Sequence, residues 1–265
     1  MANLRIAYQN HADTATLTAD PVAEALMPVT YLQNDSRSHV WRSTSLADQT
    51  IYFEWGGESK TLSGCRLDGH NLITNDTLQL VLYPNVDFTG TPLYNPGAVD
   101  VYEDNIFDGP QWDSAFSSLF FASTAGVKSG KLVLHSPSNP AGYMQAARLF
   151  LGAYTEASYN PKQGMTTGWA GNSGQVRRDG GSFGVKTRAK WRQLAFDMFL
   201  MTEAERATWM EIGGYVMNEK TVWVSVFPGE TGTQRRDHDI MGKFEKSPLT
   251  KMSNVYDFSL TLNEL

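Results

Sequence analysis

The stretch Tyr256-Asp257-Phe258-Ser259-Leu260-Thr261-Leu262-Asn263 alternates apolar and polar residues without a break. Successive side chains of an extended backbone point to opposite faces. Tyr256, Phe258, Leu260 and Leu262 therefore share one face, and their polar neighbours share the other, which is the period of a half-buried strand. Leu194, Phe196, Met198 and Leu200 repeat the pattern. In the run Thr221 to Phe227, Val222, Val224 and Val226 fall on one face and Trp223 and Phe227 on the other, so protein must cover both faces, and Pro228-Gly229 ends the run. The C-terminal third is thus read as β-rich.

One helix interrupts it. Thr202-Glu203-Ala204-Glu205 has the spacing of a capping box, in which the threonine hydroxyl and the glutamate three residues on satisfy each other's first-turn N–H groups. Helix formers continue to Ile212, and Gly213-Gly214 is read as the stop. Strand, capped helix and strand make residues 185–265 an α+β unit.

The first half is punctuated by Gly, Pro and Asn. Short β-type runs lie at Gln49 to Trp55, Thr61 to Leu67, Leu78 to Tyr83, Lys131 to His135 and Ala147 to Tyr154, the pattern of a sandwich or jelly roll. Gly168, Gly171, Gly174, Gly180, Gly181 and Gly184 then crowd together without apolar periodicity. The expected organisation is an N-terminal strand or arm over 1–27, a jelly roll over 28–158, a glycine-rich linker or arm over 159–184, and the α+β domain over 185–265.

Composition narrows the functional classes. With 265 residues, 41% hydrophobic and 12% aromatic, the chain can bury a full core. A net charge of -6 removes the electrostatic driver of sequence-independent nucleic-acid binding. Cys65 is the single cysteine, so neither an intramolecular disulfide nor a cysteine-rich zinc site can form, and synthesis in the cytoplasm is expected. No signal-type segment opens the chain, and no run approaches the ~20 apolar residues of a membrane-spanning helix.

Catalytic motifs are incomplete. Gly171-Asn172-Ser173-Gly174 lacks the closing glycine of a nucleophile elbow, because Gln175 stands there. Gly126 to Lys131 is one residue too short for a phosphate loop, with Leu132 in place of the magnesium-binding hydroxyl. The five histidines are scattered, and Asp237-His238-Asp239, the densest ligand-type cluster, reads as a solvated loop. Asp100, Glu103, Asp104 and Asp108 form an acidic stretch in which Ile106 breaks the alternation of a calcium loop. No catalytic, cofactor or metal residue is assigned. Arg177, Arg178, Lys186, Arg188, Lys190 and Arg192 are opposed only by Asp179, a basic run in an acidic chain. Arg177, Arg178, Arg188 and Lys190 are the candidate subunit-interface residues, either docking on an acidic surface or forming a solvated face.

Pro28-Val29-Thr30-Tyr31-Leu32-Gln33, Val40-Trp41-Arg42-Ser43 and Gln49 to Gly56 resemble the opening of discoidin-like, galactose-binding-type jelly rolls, and Leu62 to Leu67 with Gly69-His70-Asn71-Leu72 looks like the next strand and turn. Arg192 to Leu200, Thr202 to Glu205, Val222 to Pro228 and the terminal strand resemble the assembly domain of distal-tail and tail-tip proteins of long-tailed phages, although there the assembly domain usually comes first. The resemblance implies a mainly β virion protein without enzymatic activity. Its expected partners are copies of itself in a hexameric or trimeric ring, the tail tube and the tip or hub proteins. A carbohydrate-binding jelly roll that contacts a host glycan is the alternative, and a glycan-cleaving enzyme a third.

Overall fold

The computed structural model describes residues 2–101, 115–161, 164–177, 182–186, 190–217, 219–230, 232–246, 249–252 and 255–265. The chain is mainly β. It divides into two compact units, one formed by Ala7–Thr155 with Thr231–Thr233, the other by Met1–Ile6, Glu156–Glu230 and Gln234–Leu265. The boundaries read from the sequence at 28 and 158 differ from this division at the N-terminal side, where Thr16–Asp20 is already a strand of the first unit.

The Ala7–Thr155 unit is a two-sheet β-sandwich. Its five-stranded sheet runs Thr16–Asp20, Gln49–Glu54, Ser129–His135, Thr77–Tyr83 and Val99–Asp100 in spatial order; the three-stranded sheet runs Arg148–Gly152, Lys60–His70 and Ala115–Val127. All these pairings are antiparallel. Alternation explains the core: Gln49, Ile51 and Phe53 are buried while Thr50, Tyr52 and Glu54 are half-exposed. Ile51, Phe53, Leu80, Leu82, Leu132 and Leu134 from one sheet meet Leu62, Leu67, Leu149 and Leu151 from the other in one apolar cluster. Trp41, fully buried, joins it.

The second unit is built on an eight-stranded sheet. In spatial order, Tyr154–Glu156, Arg5–Ala7, Val222–Ser225, Asp239–Lys246, Val255–Glu264, Lys190–Met201 and Thr166–Gly171 follow one another, and Leu249–Met252 also pairs with Val255–Glu264. Leu194, Phe196 and Met198 are buried beside Phe258, Leu260 and Leu262, the face the alternation defines. Val222–Ser225 is buried on both faces.

Helix α1 spans Glu203–Val216 and both halves of its capping box are formed: the Thr202 hydroxyl accepts from the Glu205 N–H, and the Glu205 carboxylate accepts from the Thr202 N–H. The expected stop at Gly213-Gly214 is wrong, because the helix runs through both glycines. Each glycine costs a helix about 1 kcal/mol relative to alanine. Burial of Ile212 and Val216 on either side of the pair offsets that cost, and the Trp209 ring lies 5.0 Å from that of Phe258.

Three further segments differ from the sequence reading. The glycine-rich stretch holds the strands Thr166–Gly171, Gly174–Arg177 and Phe183–Lys186, because pairing with Lys190–Met201 and within the hairpin satisfies its backbone without help from side chains. Asp237 and His238 end helix α2, Gly232–His238, instead of lying in a loop. Asp239 is buried in a strand, where it accepts a 2.7 Å hydrogen bond from the Trp223 indole.

Candidate functional site

Strand register brings the loops of the sandwich to one end. Asp20 faces Thr50, Gln49 faces Leu134, and Thr77 faces His135. The chain therefore leaves the five-stranded sheet after Asp20 and His135, and enters it before Gln49 and Thr77, at a common end. The short pair Trp41–Arg42 and Gln145–Ala146 closes that end, with Arg42 opposite Gln145.

Side-chain amides and hydroxyls hold these loops in place. Asn71 donates from Nδ2 to the Tyr143 carbonyl at 2.9 Å and accepts at Oδ1 from the Gln145 N–H at 2.8 Å. Asn139 donates to the Asn71 carbonyl at 2.8 Å and accepts from the Ala141 N–H. Ser43 Oγ accepts from the Met144 N–H at 2.8 Å and donates to the Ser45 carbonyl. The segment after Asp20 is tied in by Glu24 N–H to Arg42 carbonyl and Arg42 N–H to Met27 carbonyl bonds. These bonds hold the loops in one arrangement, which lowers the ordering cost of any contact made there.

On the short pair that closes this end the Arg42 guanidinium lies 4.0 Å above the Tyr143 ring. Its Nη2 donates to the Gln145 side-chain carbonyl at 3.5 Å, and its Nη1 is 4.0 Å from a Glu24 carboxylate oxygen. Arg42 Nε is buried and, among the described residues, has no hydrogen-bond partner. Val22 and Leu26, 78% and 80% exposed, stand on the adjoining segment. A guanidinium, a carboxylate, an amide and an aromatic ring are thus brought together, a set able to bind a ligand that offers both hydroxyls and C–H faces.

A second polar feature lies elsewhere on the same unit. A cleft of about 500 Å³ is lined by Asp13, Thr30, Gln33, Asn34, Asp35 and Arg148. Buried Arg148 contacts Asp13 at 2.7 Å and Asp35 at 2.9 Å. Gln33 donates to the carbonyls of Ala12 and Ala15 at 2.8 and 2.7 Å. Burial holds the Asp13 carboxyl above its ordinary range, opposed by Arg148 and reinforced by Asp35. With its two terminal nitrogens bound to these carboxylates, Arg148 acts as a clamp between the 13 and 35 turns.

Of the candidate interface residues, the two that are described, Arg177 and Lys190, fall in different sheets. Arg177 ends the first strand of the hairpin, opposite Phe183, while Lys190 opens the strand opposite Gly171. Arg178 and Arg188 lie outside the described residues, as do Glu103, Asp104 and Asp108 of the acidic stretch. Among the described residues no group of three or more His, Cys, Asp or Glu is placed to hold a metal ion. Cys65 is buried, and burial pushes its thiol up to about 12. The Arg42 site was missed in the sequence reading, since Arg42 and Gln145 are 103 positions apart and no spacing links them.

No family model and no curated protein matches the chain. Several solved structures are similar to part of it. A chitosan-binding module of a Paenibacillus chitosanase/glucanase is 18% identical, with a TM-score of 0.39, over 54% of this chain and 98% of that one. A family 32 carbohydrate-binding module from C. perfringens NanJ, solved in complex with galactose, is 12% identical, with a TM-score of 0.40, over 57% and 99%. A Streptococcus pneumoniae fucose-binding module is 9% identical, with a TM-score of 0.36, over 56% and 99%.

Proposed function

We propose that this chain is a non-catalytic attachment protein whose jelly roll binds a carbohydrate at the loop end. The observation that carries the reading is the Arg42 guanidinium over Tyr143, flanked by Glu24 and Gln145 on loops already fixed by Asn71, Asn139 and Ser43. Sugars present vicinal hydroxyls that donate and accept in fixed geometry, together with C–H faces that lie against rings and aliphatic groups. A guanidinium, a carboxylate and an amide around one ring meet both demands. Binding of the full chain to a glycan array, followed by calorimetry on the best hit, tests it. Arg42→Ala and Tyr143→Ala are each expected to weaken binding at least about tenfold, the cost of removing a central anchor. Equal affinity in both variants, or an array without a hit, refutes the site.

A second reading concerns the other unit, in the setting of a phage tail tip whose copies form a ring. The observation that favours it is the sheet edge Thr166–Gly171, which is paired on one side only among the described residues and next in sequence to the basic run. Rings in negative-stain images of the purified chain are the expected result, and monomers throughout refute it.

A further inference from the structure

The sandwich that carries Arg42 is strongly acidic. Across Ala7–Thr155 seven Lys and Arg stand against fifteen Asp and Glu, a formal charge of -8; the whole chain carries -6, so the remainder carries +2. Four of the seven cations are bound to carboxylates: Arg37 and Arg66 to Asp68, Arg148 to Asp13 and Asp35, and Lys60 to Glu58. Lys128 and Lys131 lie toward the opposite end of the five-stranded sheet, where Ser129 faces Glu54 and Tyr83. Among the described residues, Arg42 is the one arginine or lysine that the loop end keeps for a ligand.

Three carboxylates share that end with it. Glu24 sits on the segment whose backbone is bonded to Arg42, and its side chain is 44% exposed. Asp20, also exposed, ends its strand facing Thr50, and Asp48 lies two residues before Thr50, so both stand at one corner of the five-stranded sheet. Asp20 has no hydrogen bond or ion pair among the described residues. Asp48, 62% exposed, is bound through one oxygen to His135 Nδ1 at 2.6 Å. Exposed carboxylates that outnumber the nearby cations attract a positive charge on a ligand and repel a negative one. A neutral sugar gains little from them. An amino sugar gains, because it offers hydroxyls to Arg42 and Gln145 and an ammonium group to the carboxylates.

We propose that the loop-end site takes glycans with free amino groups, built of amino-sugar units that are not N-acetylated, in preference to N-acetylated or acidic glycans. This rests on the carbohydrate reading above and specifies its ligand class. Asp20 and Asp48 supply the preference, and Arg42 with Tyr143 supplies the contact to the sugar itself.

Calorimetry of the full chain with glucosamine, N-acetylglucosamine and galacturonate oligomers of equal length, at low and moderate salt, provides the test. The titrations are run at about pH 6, below the range of an ordinary α-amine, so that the amino groups are charged. The glucosamine oligomer is expected to bind about tenfold more tightly than its N-acetylated counterpart, since several exposed ion pairs of a few-fold each multiply. That advantage should shrink as salt rises, while binding of the N-acetylated oligomer stays nearly constant. Asp20→Asn combined with Asp48→Asn should cut the ratio at least about threefold. Arg42→Ala separates the site from loose attraction of a polycation: removing a positive charge would tighten loose attraction, whereas the site requires weaker binding. Equal or tighter binding of the N-acetylated or galacturonate oligomer, still weakened by Arg42→Ala, overturns the amino-sugar class and leaves the carbohydrate site standing. A glucosamine preference that survives both Asn substitutions, or that strengthens in Arg42→Ala, overturns the proposal as well. Binding to none of the three overturns it too, and a glycan array without a hit removes the site with it.

Discussion

Acid should weaken the sandwich through His70, by an amount set by its burial. The side chain is 4% exposed on the strand Lys60–His70. Its Nδ1 accepts from the Leu72 N–H at 3.3 Å, so the proton belongs on Nε2, which lies 2.9 Å from Ser117 Oγ. The Ser117 hydroxyl in turn donates to the Val101 carbonyl at 3.0 Å. This chain of bonds fits the neutral imidazole; a second ring proton would face the Leu72 N–H, donor against donor. Burial lowers the His70 pKa from 6.5 to about 4, with Asp68 and a hydrogen bond to the Phe116 backbone opposing and Arg66 adding to the drop. A folded pKa below the unfolded one means that the unfolded chain takes up the proton first as pH falls. Stability is therefore full above pH 6.5 and declines as pH drops to about 4. Each pH unit of that window is worth about 1.4 kcal/mol, so the whole loss is about 3 kcal/mol. Urea unfolding of wild type and His70→Gln at intervals from pH 7 to pH 4 measures it, and the difference between the two curves cancels other titrating groups. His70→Gln keeps an N–H for Ser117 and cannot titrate. Its stability should start lower at neutral pH and converge on wild type in acid. Parallel curves would refute the assignment of the acid sensitivity to His70.

Three further substitutions test the elements that build the units. Thr202→Ala removes the hydroxyl that caps α1 and should cost about 1 kcal/mol in urea unfolding, with Thr202→Ser close to wild type. Two glycine-to-alanine changes should have opposite signs. At Gly130 the new methyl would lie 2.4 Å from the Phe53 ring and 2.8 Å from the Val81 carbonyl, costing about 1–3 kcal/mol, whereas at exposed, helical Gly214 it meets nothing within 4 Å and should add about 1 kcal/mol of stability. Thermal unfolding of both variants reads the signs.

Features set by neighbours in sequence were legible, and those set by distant partners were not. The alternation of Phe258, Leu260 and Leu262 places those residues on the buried face, and the Thr202 to Glu205 spacing places the helix start. The helix end escaped because burial of Ile212 and Val216, a tertiary effect, outweighs two glycines. Ala115–Val127 went unread for a different reason. Its exposed positions, Ala122, Ser123, Ala125 and Gly126, break strict alternation, and the strand is defined by an interrupted register with Lys60–His70. The strands of the glycine-rich stretch have almost no side-chain signal at all, since their order comes from backbone pairing.

The Arg42 cluster shows why a side-chain constellation at a loop end is hidden from a linear reading. Arg42 and Gln145 are opposite each other only because Trp41–Arg42 pairs with Gln145–Ala146, and that pairing is held by Asn71, itself on a third loop. Each residue alone is unremarkable in sequence: an arginine after a buried tryptophan, a tyrosine after a glycine, an asparagine in a turn. The sandwich registers bring their loops to one end, and the amide bonds of Asn71 and Asn139 fix what the registers bring together. Those bonds occupy the Tyr143, Asn71 and Ser45 carbonyls, and the site proposed above rests on the Arg42 and Glu24 charges and the Tyr143 ring. Specificity at this end therefore depends on which few side chains the loops carry. The sandwich beneath them depends on alternation, and so the fold can be read from the sequence while the ligand cannot.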